Sequence, residues 1–177
     1  MKRILSLFGM FGIVGWCVWC CGRIQSHSEI PEVNFKSLVF EDRIDTENNS
    51  IFTAVLTFSF IDGDGDIGSQ DMNGASRIYY TWYQKLPDRT YVQHQFGDGT
   101  FTQSIAIPYD EVMNKDQANN KTLKGTIEIV LDTPTNIQNV DTMRVDFFIV
   151  DRATNPSIEK HTPDFSIQDP PTEPITK

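Results

Sequence analysis

Beyond residue 21 this sequence contains no cysteine, because its only three are Cys17, Cys20 and Cys21. The part of the chain that can fold therefore has neither disulfide bonds nor a reactive thiol. Basic residues are also scarce: 15 Lys and Arg stand against 24 Asp and Glu, for a formal net charge of −9. This balance argues against nucleic acid and anionic lipid as partners, because both need clustered Lys or Arg.

Local motifs of catalysis are missing as well. His27, His94 and His161 have no sequence neighbours that form a metal-ligand pair or a nucleophile elbow. The glycine-rich segment at 62–68 is anionic and would repel phosphate. Catalytic triads assemble across a fold, so an enzyme whose site is built by tertiary structure stays open. Without a local motif, we expect a non-catalytic protein.

The one long apolar run lies at the N-terminus. Basic residues in Met1–Arg3 precede Ile4–Trp19, which has no charge. This pattern, ending in cysteines, resembles a bacterial lipoprotein signal, in which a cysteine becomes the lipidated first residue of the mature protein. Cys21 fits best, since it lies between Cys20 and Gly22, whereas the other two cysteines each follow tryptophan. An uncleaved anchor is the alternative, although about 20 apolar residues are needed to span a bilayer.

Either alternative predicts an exported protein, held at the bacterial cell envelope on an outer-membrane, periplasmic or surface face. The expected organisation is a signal peptide at 1–20, a tether after the lipidated cysteine at 21–32, and a β-domain at 33–168. The tail at 169–177 is expected to be disordered, because three of its nine residues are proline.

Alternation of apolar and polar residues indicates strands in the body of the chain. Ile51–Ile61 is clearest, and Val33–Phe40 is expected to place Val33, Phe35 and Ser37 on one side. The other predicted strands are Arg77–Leu86, Tyr91–Phe96, Phe101–Ile107, Leu123–Leu131, Met143–Val150 and a short one within Ser157–Ile167. Seven or eight short strands with almost no helix predict an all-β, immunoglobulin-like antiparallel sandwich, with a barrel as the alternative.

An Asp/Gly segment directly after the strongest strand could carry chemistry. Asp62, Asp64 and Asp66 alternate with glycines that permit a bend, so several oxygens could face one point. Oxygen-only ligands favour Ca²⁺, and Asp71 or Asp151 could complete the shell. The twelfth position from Asp62 is Asn73 and not glutamate, which argues against an EF-hand. The alternative is a turn in which the carboxylates are solvated or cap backbone N–H groups.

Three segments together carry a resemblance to a family. The motif Phe60–Gly68, the opening Pro31–Phe35 and the segment Ile149–Ala153 resemble those of small uncharacterised lipoproteins of Bacteroidetes-type bacteria. The resemblance spans Pro31 to Ser166. It implies an exported sandwich domain, and no established activity comes with it.

Two further segments allow more than one interpretation. Asp151–Asn155 resembles the Asp-x-Ala-Gly-Asn turn of bacterial immunoglobulin-like domains, but Thr154 replaces the usual glycine, so a different turn geometry is expected. Its expected role is structural.

Tyr79 and Tyr83 share one outward strand face, where they could stack on sugar rings or contact a protein. A carbohydrate-binding lipoprotein of a glycan-uptake system is therefore the alternative to a binding or structural accessory module.

Overall fold

The computed structural model describes residues 27–44, 48, 50–68, 74, 76–108, 122–134 and 141–177. The predicted signal peptide at 1–20, the predicted lipidation site Cys21 and the candidate ligand Asp71 lie outside these ranges. Within them, all regular elements are strands, and no helix is long and apolar enough to cross a membrane.

The strands form two antiparallel sheets. The strands are β1 (Glu32–Ile44), β2 (Ser50–Asp62), β3 (Arg77–Lys85), β4 (Tyr91–Gln93), β5 (Thr102–Ala106), β6 (Leu123–Leu131), β7 (Thr142–Val150), β8 (Lys160–His161), β9 (Phe165–Ser166) and β10 (Ile175–Thr176). The first sheet has the order β10-β1-β2-β6. The second has β4-β3-β7-β8, with β5 also paired to β3 and β9 to β7. The predicted all-β sandwich is thereby confirmed.

The chain crosses between the two sheets after β2, β5, β6 and β9. The first, second and sixth strands share one sheet, and the third, seventh and eighth share the other. These two groups correspond to strands A–B–E and C–F–G of an immunoglobulin-like sandwich. The ends of β2 and β7 therefore face each other across the core.

The core consists of the inward faces of the central strands, as their alternation predicts. Leu56, Phe58 and Phe60 of β2 are buried, and so are Phe147 and Ile149 of β7. The rings of Phe58 and Phe147 approach to 5.1 Å between centroids, which joins the two sheets. Each such side chain contributes about 1.5–3 kcal/mol by leaving water, so these strands hold their sheets together.

Strand β1 departs from simple alternation. Its pairing with β2 shifts between Phe35 and Ser37, as a β-bulge does. The extra residue reverses the parity of the strand, so Leu38 is buried where Ser37 was expected to share the face of Val33 and Phe35. Alternation alone cannot place a bulge, because the bulge is defined by the partner strand.

The prediction of a disordered tail at 169–177 is wrong. Ile175–Thr176 forms β10 and pairs with β1 at Leu38 and Ser37. Proline favours an extended backbone, which suits a segment that runs to a sheet edge. Ile175 also packs against the core, and this apolar contact holds the last residues in place.

Candidate metal centre

Two aspartates extend the inward faces of the central strands. Asp62 is the last residue of β2 and comes two residues after the buried Phe60. Asp151 directly follows β7 and comes two residues after the buried Ile149. Because strand side chains alternate with period two, both carboxylates point toward the interior. Both aspartates are 0% exposed.

Asp66 joins them through the turn that follows β2. One carboxylate oxygen from each of Asp62, Asp66 and Asp151 lies within 4.8 Å of the other two. These three residues are called the carboxylate triad below. Gly65 takes a φ of 74°, which turns the chain back toward Asp62. The triad therefore combines the β2–β3 connection with the β7–β8 connection of the opposite sheet.

One oxygen of Asp62 and one of Asp66 support the local backbone. Asp62 Oδ2 accepts hydrogen bonds from the N–H groups of Asp66 at 2.8 Å and Ile67 at 3.1 Å. Asp66 Oδ2 accepts one from Ala153 N–H at 2.9 Å. This is the capping role that the turn alternative predicts.

The other oxygen of each side chain has no such role. Asp62 Oδ1 and Asp66 Oδ1 are buried, and neither has a hydrogen-bond partner among the described residues. Burying an unpartnered polar atom costs free energy, and a charged one costs more. Two orphaned carboxylate oxygens inside an acidic cluster are what a bound cation would satisfy.

Asp151 is held by its own turn. Asn155 donates to Asp151 Oδ1 through its backbone N–H at 2.7 Å and to Oδ2 through Nδ2 at 2.9 Å. The bond from the backbone N–H is of the structural kind expected for Asp151, and the Asn155 side chain contributes by donating to the same carboxylate. Each carboxylate oxygen has two lone pairs, so Asp151 can still coordinate a cation.

Thr154 lies in the left-handed region of backbone conformation, with a φ of 69°, which glycine adopts most readily. A β-branched residue is strained at that angle. The turn after β7 also contacts the turn after β2, because Arg152 Nε donates to the Asp66 carbonyl oxygen at 2.9 Å.

The electrostatics of the triad disfavour three ionised carboxylates. Burial, followed by hydrogen bonding and repulsion from the neighbouring Asp64, raises the pKa of Asp62 to about 7. Burial and repulsion from Asp151 and Asp64 raise the pKa of Asp66. A divalent cation would reverse both effects, since opposite charge favours the ionised form.

The remaining predicted site residues lie elsewhere. Asp64 is exposed at the tip of the turn and does not belong to the triad. It acts on Asp62 through a side-chain hydrogen bond and through its charge. Tyr79 stacks on Phe148 at 5.0 Å between ring centroids, and the guanidinium of Arg144 lies 5.4 Å from the ring centroid of Tyr83. Both tyrosines are half-buried and already have intramolecular partners on the outer face of the second sheet.

The triad could hold a metal ion through carboxylate oxygens alone. Its ligands suit Ca²⁺ and Mg²⁺ alike and include no histidine or thiolate for a softer metal. Comparisons of this chain with protein-family models, with curated proteins and with solved structures found no match. The site is therefore interpreted from its own geometry.

Proposed function

We propose that this protein is a membrane-anchored, non-catalytic module of the bacterial cell envelope whose sandwich is stabilised at one end by Ca²⁺. The cation would bind the carboxylate triad and so link the two sheets. The module would serve as a binding or structural accessory to other envelope components. The observation that carries the cation assignment is the pair of buried oxygens, Asp62 Oδ1 and Asp66 Oδ1, that have no hydrogen-bond partner in the described part of the chain.

A structural role for the cation follows from where the ligands come from. Asp62 ends β2 in one sheet and Asp66 lies in the turn that follows, whereas Asp151 follows β7 in the other sheet, so a bound ion would join the two sheets at this end. No histidine is among the ligands, and Asp62 and Asp151 are fully buried, which suits stabilisation better than hydrolysis of a substrate.

Ca²⁺ is favoured over Mg²⁺ by ligand geometry. Asp62 and Asp66 are each fixed by backbone hydrogen bonds, so their oxygens cannot easily rearrange into a strict octahedron. Ca²⁺ accepts irregular shells of six to eight oxygens, whereas Mg²⁺ demands near-ideal octahedral geometry. Asp64 could add a ligand through water, because it neighbours Asp62 from the solvent side.

Thermal melting of the full chain in detergent, with EDTA, Mg²⁺ or Ca²⁺, tests the assignment. A ligand bound only to the folded state adds about 2.7 kcal/mol of stability at a hundredfold excess over its dissociation constant. We expect Tm to rise with the logarithm of Ca²⁺ concentration, and to rise less with Mg²⁺. Asp62→Asn and Asp66→Asn should lose this rise.

The matched control is Asp98→Asn, since Asp98 also lies between two glycines in a turn. Asp98 is exposed and accepts from Thr100, so its removal should leave the Ca²⁺ response intact. An unchanged Tm for the parent at millimolar Ca²⁺ would leave only the turn role of the aspartates. A rise that persists in Asp62→Asn would place the ion elsewhere.

Carbohydrate binding through Tyr79 and Tyr83 is the weaker candidate. Stacking on a sugar needs an open aromatic face, and one partner already lies against each ring. Glycan binding to the parent that is lost in Tyr79→Ala and Tyr83→Ala would favour this alternative.

A further inference from the structure

Two isoleucines are exposed beside the point where the chain enters the sandwich. Ile158 is 75% exposed, the highest value among the large apolar side chains of the described residues, and Ile30 is 51% exposed. Both line one cleft of about 290 Å³, together with Pro31 and Val33. Single exposed apolar side chains are common, but two that share one cleft form a patch. Ile30 and Ile158 are called the entry patch.

The outward position of Ile158 is fixed by its neighbour. Ser157 is buried, its N–H donates to the Ile149 carbonyl at 2.8 Å, and its Oγ accepts from Ile149 N–H at 3.1 Å. Because both polar groups of Ser157 are bound to β7, the next side chain must project outward. The exposure of Ile158 therefore belongs to the fold and is not an accident of a loose connection.

The entry patch lies at the end of the domain that is closest in sequence to the predicted anchor. The Ser28 carbonyl accepts a hydrogen bond from Gly63 N–H at 2.9 Å, which places the incoming chain beside the carboxylate triad. Ile30 lies nine positions after Cys21. An extended chain of that length reaches at most about 30 Å. Lipid attached at Cys21 would therefore keep the patch close to the bilayer surface.

We propose that the entry patch docks on the surface of a zwitterionic bilayer, so that the end of the sandwich carrying the carboxylate triad faces the membrane. This inference rests on the proposed anchoring of the chain. Zwitterionic lipid fits because the protein has a net charge of −9, and because the exposed Glu29 and Glu32 flank Ile30. Anionic lipid would be repelled.

The size of the patch favours a bilayer over a protein partner. A stable protein interface buries about 800 Å² on each side, far more than two isoleucine side chains supply. A bilayer contact needs no such area here, since the anchor already holds the domain at high local concentration. A weak apolar contact is then enough to orient the domain.

Bromolipid quenching of introduced tryptophans tests this inference on the full chain. The chain is reconstituted into vesicles of phosphatidylcholine and phosphatidylethanolamine, with and without brominated acyl chains. The Ile158→Trp variant should fluoresce more than the parent in unbrominated vesicles, because of its additional tryptophan. We expect brominated acyl chains to quench this additional fluorescence. The matched control is Ile44→Trp, because Ile44 is 66% exposed at the opposite end of β1, about 40 Å away at the rise of a strand. The fluorescence of the tryptophan introduced in Ile44→Trp should be the same in brominated and unbrominated vesicles.

A second variant tests the patch as a unit. Adding Ile30→Asp to Ile158→Trp should restore the fluorescence of the introduced tryptophan in brominated vesicles. The charged side chain at position 30 should prevent the neighbouring tryptophan from inserting into the bilayer. Flotation of the vesicles separates the two proposals. If the protein floats and the tryptophan introduced in Ile158→Trp is not quenched, docking is wrong while anchoring stands. If the protein does not float, the anchor fails, and the docking surface fails with it.

Discussion

Asp62 and Asp151 occupy matching positions in the two facing sheets, each two residues beyond the last buried apolar side chain of a central strand. The alternation that buries Phe60 and Ile149 also turns these carboxylates inward. A carboxylate cluster that could hold a cation thus forms at one end of the core without any irregularity in either strand. The turn through Gly65 then needs only to bring Asp66 back to complete it.

Without a cation, the protein should be more stable in mild acid than at neutral pH. The folded pKa of Asp62 is about 7, above its ordinary 3.8, so the folded state binds this proton more tightly than the unfolded state. Stability should therefore fall as pH rises from about 4 through about 7, by at most on the order of 4 kcal/mol from this group. Burial raises the pKa of Asp66 and Asp146 in the same direction.

Denaturant unfolding in EDTA at about pH 5 and pH 7.5 measures this effect. Asp62→Asn should flatten the pH dependence and be more stable than the parent at the higher pH, because an amide oxygen can still accept from Asp66 and Ile67. The carboxyl pKa values of Asp88 and Asp98 are lowered, so those groups titrate below this window. Parent stability that increases between the two pH values would contradict the prediction.

Gly63→Ala should detach the incoming chain from the turn. A Cβ at Gly63 would lie 2.3 Å from the Ser28 carbonyl oxygen and 2.4 Å from that of His27. Both contacts are to backbone, so the segment must move, and we expect a loss of about 1–3 kcal/mol. Gly97→Ala is the control, because nothing lies within 4 Å of its added Cβ. Equal free energies of unfolding for the two variants would show that the close approach of Ser28 to Gly63 does not contribute to stability.

Thr154→Gly should stabilise the domain by about 1 kcal/mol, since it relieves a β-branched residue held at φ 69°. The adjacent Ala153→Gly should instead destabilise it by about 0.4–1 kcal/mol, because it only adds freedom to the unfolded chain. Chemical denaturation of the two variants beside the parent measures the contrast. A loss of stability in Thr154→Gly would mean that the threonine side chain makes a contact that outweighs the strain.

Cys21→Ala should release the protein from membrane fractions of an expressing bacterium, because the residue predicted to carry lipid is removed. Cys20→Ala serves as the control and should stay with the membrane. Retention of Cys21→Ala with its leader uncleaved would indicate that the apolar run 4–19 is itself the anchor.

Much of the sandwich could be predicted because each long strand buries one face against a sheet. The predicted bounds Leu123–Leu131 match β6, and those of β2, β3 and β7 differ by one residue at one or both ends. The bulge in β1 and the pairing of Ile175 were missed. Both features depend on the neighbouring strand in the sheet. The alternation of residues within one segment does not indicate which strand pairs with it.

The candidate site was predicted in part. Asp62 and Asp66 were expected as ligands, and Asp151 was expected on the condition that its connection lies at the same end, which the triad satisfies. Asp64 was expected to converge with them, because it alternates with them in a glycine-rich segment that can bend. The hydrogen bonds of Asp62 to the next turn residues close the loop and leave Asp64 at its tip.

The amino-acid sequence by itself determined the strand pattern, the acidic surface and the identity of the carboxylates, because hydrophobic alternation and charge are local properties. Tertiary structure decided which of those carboxylates meet, since Asp62 and Asp151 lie 89 positions apart and come together only when β2 and β7 pack face to face. It also decided that one oxygen of Asp62 and one of Asp66 are buried without partners among the described residues. Burial makes these carboxylates a candidate cation site, because only in a region sheltered from water does unpaired charge cost enough to favour a bound cation.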